Sequence, residues 1–319
     1  MQGKINIINI SGGVDSTACY LLALEHGIPF RAVFADTGNE HEYTLEYIND
    51  LGRRTGGPAV QTVRADFRQK IAVRRAGLEK MRDSGEYLRD WTAEAVERVL
   101  THLHPTSIPF LDLCALKGRF PSTKARFCTI ELKLDPIKWQ STAPAIVEAY
   151  AKSQRPADVW NWVGIRRDES EDRREAEELE SDSMGNTIYR PLVDWPKSAC
   201  FDLLKRHNVP PNPLYRLGCG RVGCMFCVNA TKDEICEVSK RFSHHISRIR
   251  EWEQHVRLCS KRGASTFFPA TKIPGLSDTR ADIDSVVEWS MTGHGGMQYD
   301  MLRQAEDVPA CSSMYGLCE

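Results

Sequence analysis

A glycine-rich turn and a set of cysteines carry most of the chemistry available to this chain. Apolar Ile5, Ile7, Ile8 and Ile10 lead into Ser11-Gly12-Gly13-Val14-Asp15-Ser16, with Thr17 behind it. A helical pattern comes at once through Leu21, Leu22 and Leu24 to Gly27, so the stretch reads as strand, tight turn, helix. Glycines permit backbone angles closed to other residues and let amide N–H groups approach a ligand. The helix N-terminus adds unpaired N–H groups and the positive end of its dipole. With hydroxyls from Ser11, Ser16 and Thr17, the turn reads as a cradle for phosphate oxygens; the plain alternative is an ordinary strand-to-helix turn. It is not the common phosphate loop, because no Gly-Lys-Ser/Thr comes after it, and the Gly-x-Gly-x-x-Gly of dinucleotide folds is absent.

The second chemical group is Cys219, Cys224 and Cys227, spaced Cys-x4-Cys-x2-Cys, with Gly218, Gly220 and Gly223 interleaved. Three thiols this close read as metal ligands, and the glycines let the backbone fold tightly around an ion. The fourth ligand must come from elsewhere, and Cys128, in Arg-Phe-Cys-Thr, is the best candidate. Four thiolates suit zinc or an iron–sulfur cluster, and spacing does not separate the two. Cys19, Cys114, Cys200, Cys236 and Cys259 lie in apolar settings and read as small buried hydrophobes.

Other elements bring further polar residues toward the turn. A strand over Phe30 to Ala35 ends in Asp36-Thr37-Gly38-Asn39-Glu40. Ligands in open α/β sheets bind beyond the carboxyl ends of the strands. Asp36 therefore lies near the first turn, to accept ribose or adenine hydrogen bonds, to hold a metal, or to cap the next helix. A helix covers Tyr43 to Arg53, and Val60 to Val63 reads as a third strand. Residues 66–104 are mostly helical, an insertion or lid in which His102 and His104 read as surface residues. Lys117, Arg119, Lys124 and Arg126 form a basic stretch, either a polyphosphate or nucleic-acid contact or a solvated loop. Asp158 to Ile165 reads as a buried strand leading into the charge run Arg166 to Arg174, which places Arg166 or Arg173 near an anion. The acidic run from Glu175 to Asp182 reads as an exposed loop. A helix covers Lys197 to Arg206, and a long one spans Asp233 to Leu258. Its adjacent His244 and His245 are expected to face different directions and not to ligate together.

The chain has 319 residues, a net charge of −1 and a hydrophobic fraction of 41%, the profile of a globular protein without a global basic field. No apolar run reaches membrane-spanning length, so no membrane partner is expected. The first residues read directly as a strand, so no secretion signal is expected. Eleven cysteines in that setting point to a reducing, cytoplasmic compartment.

These motifs resemble those of the N-type ATP pyrophosphatases and the sulfonucleotide (PAPS) reductases. The resemblance runs through Ser11 to Ser16, Asp36-Thr37-Gly38, Phe127-Cys128-Thr129, Gly164 to Arg173, Arg190 to Trp195, and Asn212 to Cys227. Within that group the chain is most similar to members found in phages and mobile elements, relatives of the DNA-phosphorothioation enzymes. The resemblance implies an α/β, adenine nucleotide α-hydrolase-like fold, a parallel sheet with helices on both faces. It implies a nucleotide-binding domain over 1–195, with the helical insertion at about 66–110, and a helical C-terminal part over 196–319 carrying a cysteine metal site. It implies a [4Fe–4S] cluster, with zinc the alternative, on Cys128, Cys219, Cys224 and Cys227. The reductases carry a Cys-Cys pair where this chain has Cys128 alone, and Cys219 restores the count.

Two chemistries are implied. In one, ATP with Mg²⁺ is split to AMP and pyrophosphate and an acceptor is activated for sulfur transfer. Ser11, Gly12, Gly13, Asp15, Ser16 and Thr17 hold the pyrophosphate, and Asp36, Thr37, Gly38, Gly164, Arg166 and Arg173 complete the nucleotide site. In the other, PAPS or APS passes its sulfonate to a cysteine. The reductase tail Glu-Cys-Gly-Leu-His compares with Gly316-Leu317-Cys318-Glu319 here, similar in letters and not in order. Asp15, Ser16, Arg166 and Cys318 are the expected catalytic residues. A nucleic-acid acceptor, a sulfur-donor protein and an oligomer are the expected partners. A nucleotide-sensing module without turnover is the third reading.

Overall fold

The computed structural model describes residues 3–269, 273 and 281–293. Cys311 and Cys318 lie outside the described residues.

A six-stranded sheet has the order β3-β2-β1-β4-β6-β5. Its strands are β1 (Ile5–Ile10), β2 (Phe30–Ala35), β3 (Val60–Val63), β4 (Val159–Trp162), β5 (Leu179–Ser181) and β6 (Thr187–Tyr189). All pairs are parallel except β5 with β6. Ile8 is in register with Ala32 on one side and Trp162 on the other, so β1, β2 and β4 end at one edge. Side chains on a strand alternate between faces. Ile8 and Ile10 accordingly join one core with α1 (Val14–Glu25), while Ile7, Val33 and Val63 join a second with α8 (Ala143–Ala151). A sheet covered on both faces accounts for the continuous apolar run that opens the chain.

Between β2 and β4 lie α2 (Glu42–Thr55), α3 (Arg68–Ser84), α4 (Ala93–His102) and α5 (Pro109–Lys117). Next comes a nearly unbroken helical wall, made of α6 (Phe127–Thr129), α7 (Asp135–Ile137) and α8, joined by π-helical turns at Ile130–Leu134 and Lys138–Thr142. After the sheet come α9 (Lys197–Arg206), α10 (Pro213–Arg216), α11 (Lys232–Arg241), α12 (Ser243–Cys259) and α13 (Ile283–Ser290).

Three expectations are corrected. The long helix over 233–258 is two helices, broken at Phe242, whose φ of −130° and ψ of 58° are not helical. The acidic run is a loop only in its first half: Leu179–Ser181 pairs with β6 as an exposed edge strand, turning at Met184-Gly185-Asn186. The insertion is not a separate lid either. Its Ile71, Leu78, Val96, Val99, Phe110 and Leu113 share one core with Ile235, Ile249, Trp252, Val256 and Ile283 of the C-terminal helices.

Candidate functional site

The first turn is built from its own side chains. Ser16 Oγ accepts from Ser11 N at 3.1 Å and from Ser11 Oγ at 3.1 Å, and donates to Gly13 O at 3.0 Å. Thr17 Oγ1 donates to the same carbonyl at 3.0 Å. Gly12 sits at φ +77°, and a Cβ there would come within 2.7 Å of Thr44. Gly13 begins α1, where the Tyr215 hydroxyl accepts from Val14 N at 3.0 Å. Asn212 donates to Gly12 O at 3.3 Å. The Asn-Pro-Leu-Tyr segment thus braces the turn from across the chain.

Gly164, just past β4, lies directly against this turn: a Cβ there would sit 2.8 Å from the carbonyl carbon of Asp15. Arg166 is 3% exposed and donates through Nε to Asp15 Oδ1 at 2.8 Å, with a second pair to Asp168. The Asp15 carboxylate is therefore held by a buried guanidinium.

A cleft of about 560 Å³ opens at the carboxyl edge of the sheet. Of the residues expected to bind nucleotide, Ser11, Ser16, Gly164 and Arg173 line it. Gly12, Gly13, Asp15, Thr17 and Arg166 do not line it. Arg173 pairs with Glu169, and burial draws its pKa below the ordinary arginine value. Asp36 faces elsewhere: Oδ1 accepts from Gly38 N at 2.8 Å, and Oδ2 lies 3.1 Å from Arg64 Nε. Thr37 Oγ1 donates to Glu40 Oε1 at 2.7 Å.

Sequence reasoning missed most of the cleft wall. Ile10, Phe34, Leu134, Ile137 and Ile165 make it largely apolar, and Asn9 lines it with a buried Oδ1 that has no hydrogen-bond partner. Lys133 and Lys138 also line it. Five residues apart on an α-helix, they would diverge by about 140°; the wider π-turn brings them toward one side. No residue pattern announces those turns. The basic stretch 117–126 does not line the cleft; Lys117 and Arg126 pair with Glu131 and Asp172.

At one end the cleft meets the cysteines, through Glu40, Lys133 and Gly223. Glu40 forms an isolated bridge with Cys224, whose thiol donates to Glu40 Oε1 at 3.7 Å. Asn39 accepts from Met225 N at 2.7 Å and donates to Phe226 O at 2.9 Å, fastening the cysteine loop to the end of β2. Lys133 is held firmly charged by Cys224 first, then Glu40, Cys227 and Cys128, against the opposing effect of its burial. Arg221 donates to Cys227 Sγ at 3.5 Å. Burial pushes Cys224 up to about 12, partly offset by Lys133. Cys224, Cys227 and Cys128 all act on the charge of Lys133. Cys219 lines the same cavity as Cys224 and Cys227, of about 30 Å³, and its charged neighbours are Glu234, Glu237 and Arg241. Among the described residues, His41, Glu42 and His245 form a three-ligand group of single-ion size. Cys19, Cys114, Cys200, Cys236 and Cys259 are buried, as their settings imply. No described helix is long and apolar enough to cross a membrane.

Comparison with known proteins places this geometry. A 37.8 kDa protein from the gpa 5′ region of Escherichia phage 186 is 41% identical over all of this chain and 98% of its own length. An adenosine 5′-phosphosulfate reductase of Neisseria meningitidis is 29% identical over 44% of the chain and 55% of its own length. A phosphoadenylyl-sulfate reductase structure from Candida auris covers 71% of the chain, and the chain 84% of it, at 13% identity and a TM-score of 0.40. The family model of the phosphoadenosine phosphosulfate reductase domain matches residues 5–230, from β1 through the last clustered cysteine, and the chain belongs to that family.

Proposed function

We propose that the cleft binds an adenine nucleotide and that the chain cleaves the anhydride between its α and β phosphates. The observation that carries this reading is the meeting of Ser11, Ser16 and Gly164 with apolar walls in one cleft of nucleotide size. The phosphate chain lies on the turn, and the base lies between the strand ends and the 130–142 wall. Lys133, Lys138 and Arg173 supply positive charge for a substrate that arrives as its magnesium complex. An acceptor oxygen attacks the α phosphorus, the bond to the bridging oxygen breaks, and pyrophosphate leaves with the electron pair. A sulfur nucleophile then displaces AMP from the activated acceptor, for which a nucleic acid is one class. Arg166 keeps the Asp15 carboxylate in place beside the turn.

The reductase relatives favour a second reading in the same cleft. A cysteine thiolate takes the sulfonate from APS or PAPS, the sulfur–oxygen bond to phosphate breaks, and the adenosine phosphate leaves. Cys318 is the cysteine expected to act in it.

We propose a [4Fe–4S] cluster at the cysteine site, with a single zinc as the alternative. Tetrahedral zinc holds its sulfurs about 3.8 Å apart, whereas a cluster places sulfide between its irons and spreads the thiolates. Cys128, Cys224, Cys227 and Cys219 are the ligands proposed, and Lys133 and Arg221 offset their negative charge. When bound, the cluster supplies negative charge and an electron reservoir at the end of the cleft. Anaerobic protein is expected to be brown, with about four iron and four sulfide per chain; colourless protein with one zinc replaces the cluster by a structural ion.

Incubation with ATP–Mg²⁺ and an acceptor, and separately with APS or PAPS and a thiol reductant, separates the readings. Pyrophosphate with AMP supports the first. Sulfite that disappears in Cys318→Ser supports the second. Tight nucleotide binding with neither product makes the chain a sensing module.

A further inference from the structure

Outside the cleft, three histidines converge on one carboxylate. His41 caps the start of α2, Glu42 opens that helix, and His244 and His245 open α12. Glu42 Oε2 lies 3.5 Å from His41 Nδ1, 3.4 Å from His245 Nε2 and 3.9 Å from His244 Nε2. The adjacent histidines therefore do not point apart; their ring centroids are 4.3 Å from each other. In the first turn of a helix the chain is still turning inward from Phe242, which brings consecutive side chains to one neighbour.

One ligating atom each from His41, Glu42 and His245 lie within 4.8 Å of one another. His41 and His245 are 2% and 0% exposed. His41 Nε2 and both ring nitrogens of His245 make no hydrogen bond. Buried polar atoms without partners are rare and destabilising, and several around one carboxylate need a common explanation. Burial lowers the pKa of both rings, His245 further under the charge of Arg248. His41 Nδ1 accepts from Tyr43 N at 3.0 Å as the cap of α2, a bond that ligation through that atom would displace, whereas His245 has both nitrogens free. Arg248 is the opposing cation, and its guanidinium is engaged by Met225 O at 2.6 Å and Asn39 Oδ1 at 3.3 Å.

We propose that His41, Glu42 and His245 form a binding site for a divalent ion of the zinc class, with exposed His244 placed to supply a fourth ligand. Two imidazoles and one carboxylate are a donor set of such ions. The ion ties α2 to α12 beside the Asn39–Glu40 segment, which contacts the cysteine loop. It therefore stiffens the strut that carries Glu40 to Cys224 and Asn39 to Phe226. The site uses no cysteine and stands whichever reaction the cleft performs.

Cobalt(II) added to the purified full chain is the probe. Nitrogen and oxygen ligands give visible ligand-field bands without the near-ultraviolet sulfur-to-cobalt band that thiolates add. We expect such sulfur-free bands, saturating at one ion per chain, and a zinc-dependent rise in melting temperature. Glu42 is exposed, so Glu42→Gln keeps the fold; it should weaken cobalt binding more than about tenfold and remove the zinc effect on melting. His244→Ala, also at the surface, should change the band shape with a smaller loss of affinity. Cobalt bands that are sulfur-derived only, or bands and melting unchanged in Glu42→Gln, overturn the proposal.

Discussion

A single methyl group at position 164 would displace the Ser11–Ser16 turn. The Cβ would lie 2.8 Å from the Asp15 carbonyl carbon and 2.9 Å from Ser16 N, both backbone atoms that a rotamer change does not relieve. Gly164→Ala should therefore lower stability by about 1–3 kcal/mol and weaken adenine-nucleotide binding more than its stability loss explains. Denaturant titration and calorimetric binding on the same variant check both. Asp15→Asn tests the neighbouring contact. It keeps the shape and removes the charge facing buried Arg166, which retains Asp168. Turnover should fall at least about tenfold while the protein stays folded, since the removed interaction serves the turn rather than the core. Unchanged turnover would sink the assignment of the turn.

At the scale of elements, Glu253 joins α12 to Phe267 and to the start of α13. Its Oε1 accepts from Phe267 N at 2.7 Å and Oε2 from Ile283 N at 3.1 Å. Burial is the dominant influence and raises its pKa from 4.5 to about 7, against the lowering effect of the two N–H groups. The folded carboxyl thus binds its proton more tightly than the unfolded one. Its contribution to stability is complete below pH 4.5 and is lost as pH rises through about 7. The span corresponds to about 3 kcal/mol at most. Denaturation midpoints measured across that window should fall for the native chain and flatten for Glu253→Gln, which keeps the shape without the titration. Parallel slopes in the two proteins would show that Glu253 does not titrate in this window. The break at Phe242 belongs to this scale too. Apolar periodicity continues across it, so a helical pattern runs on where the backbone turns.

For the whole molecule, the shared core between insertion and C-terminal helices is decisive. Phe110 of α5 stacks on Trp252 of α12, with centroids 5.5 Å apart and an interplanar angle of 29°. Trp252 is 4% exposed. Trp252→Ala should cost about 3–5 kcal/mol and loosen the insertion and the C-terminal helices together. Proteolysis or hydrogen exchange resolved by segment would show both regions opening at one denaturant concentration. Separate transitions would restore an independent lid. A chain cut at residue 195 should expose this core and bind a hydrophobic dye, because α3 to α5 would lose the helices that cover them.

Much of the strand-turn-helix geometry at Ser11–Ser16 and of the strand frame was readable from residue order. Ile5 to Ile10, Phe30 to Ala35, Val60 to Val63 and Lys197 to Arg206 are local patterns whose burial and turn chemistry are set by neighbours a few residues away. What residue order did not contain was distance between segments far apart along the chain. The edge strand is a local hairpin, with Ser181 opposite Thr187, whereas the meeting of Glu42 with His244 and His245 depends on such an approach. So does the fusion of insertion and C-terminal helices into one core. Local propensity and periodicity act over one or two turns, whereas these features arise where surfaces from opposite ends of the chain must fill one volume.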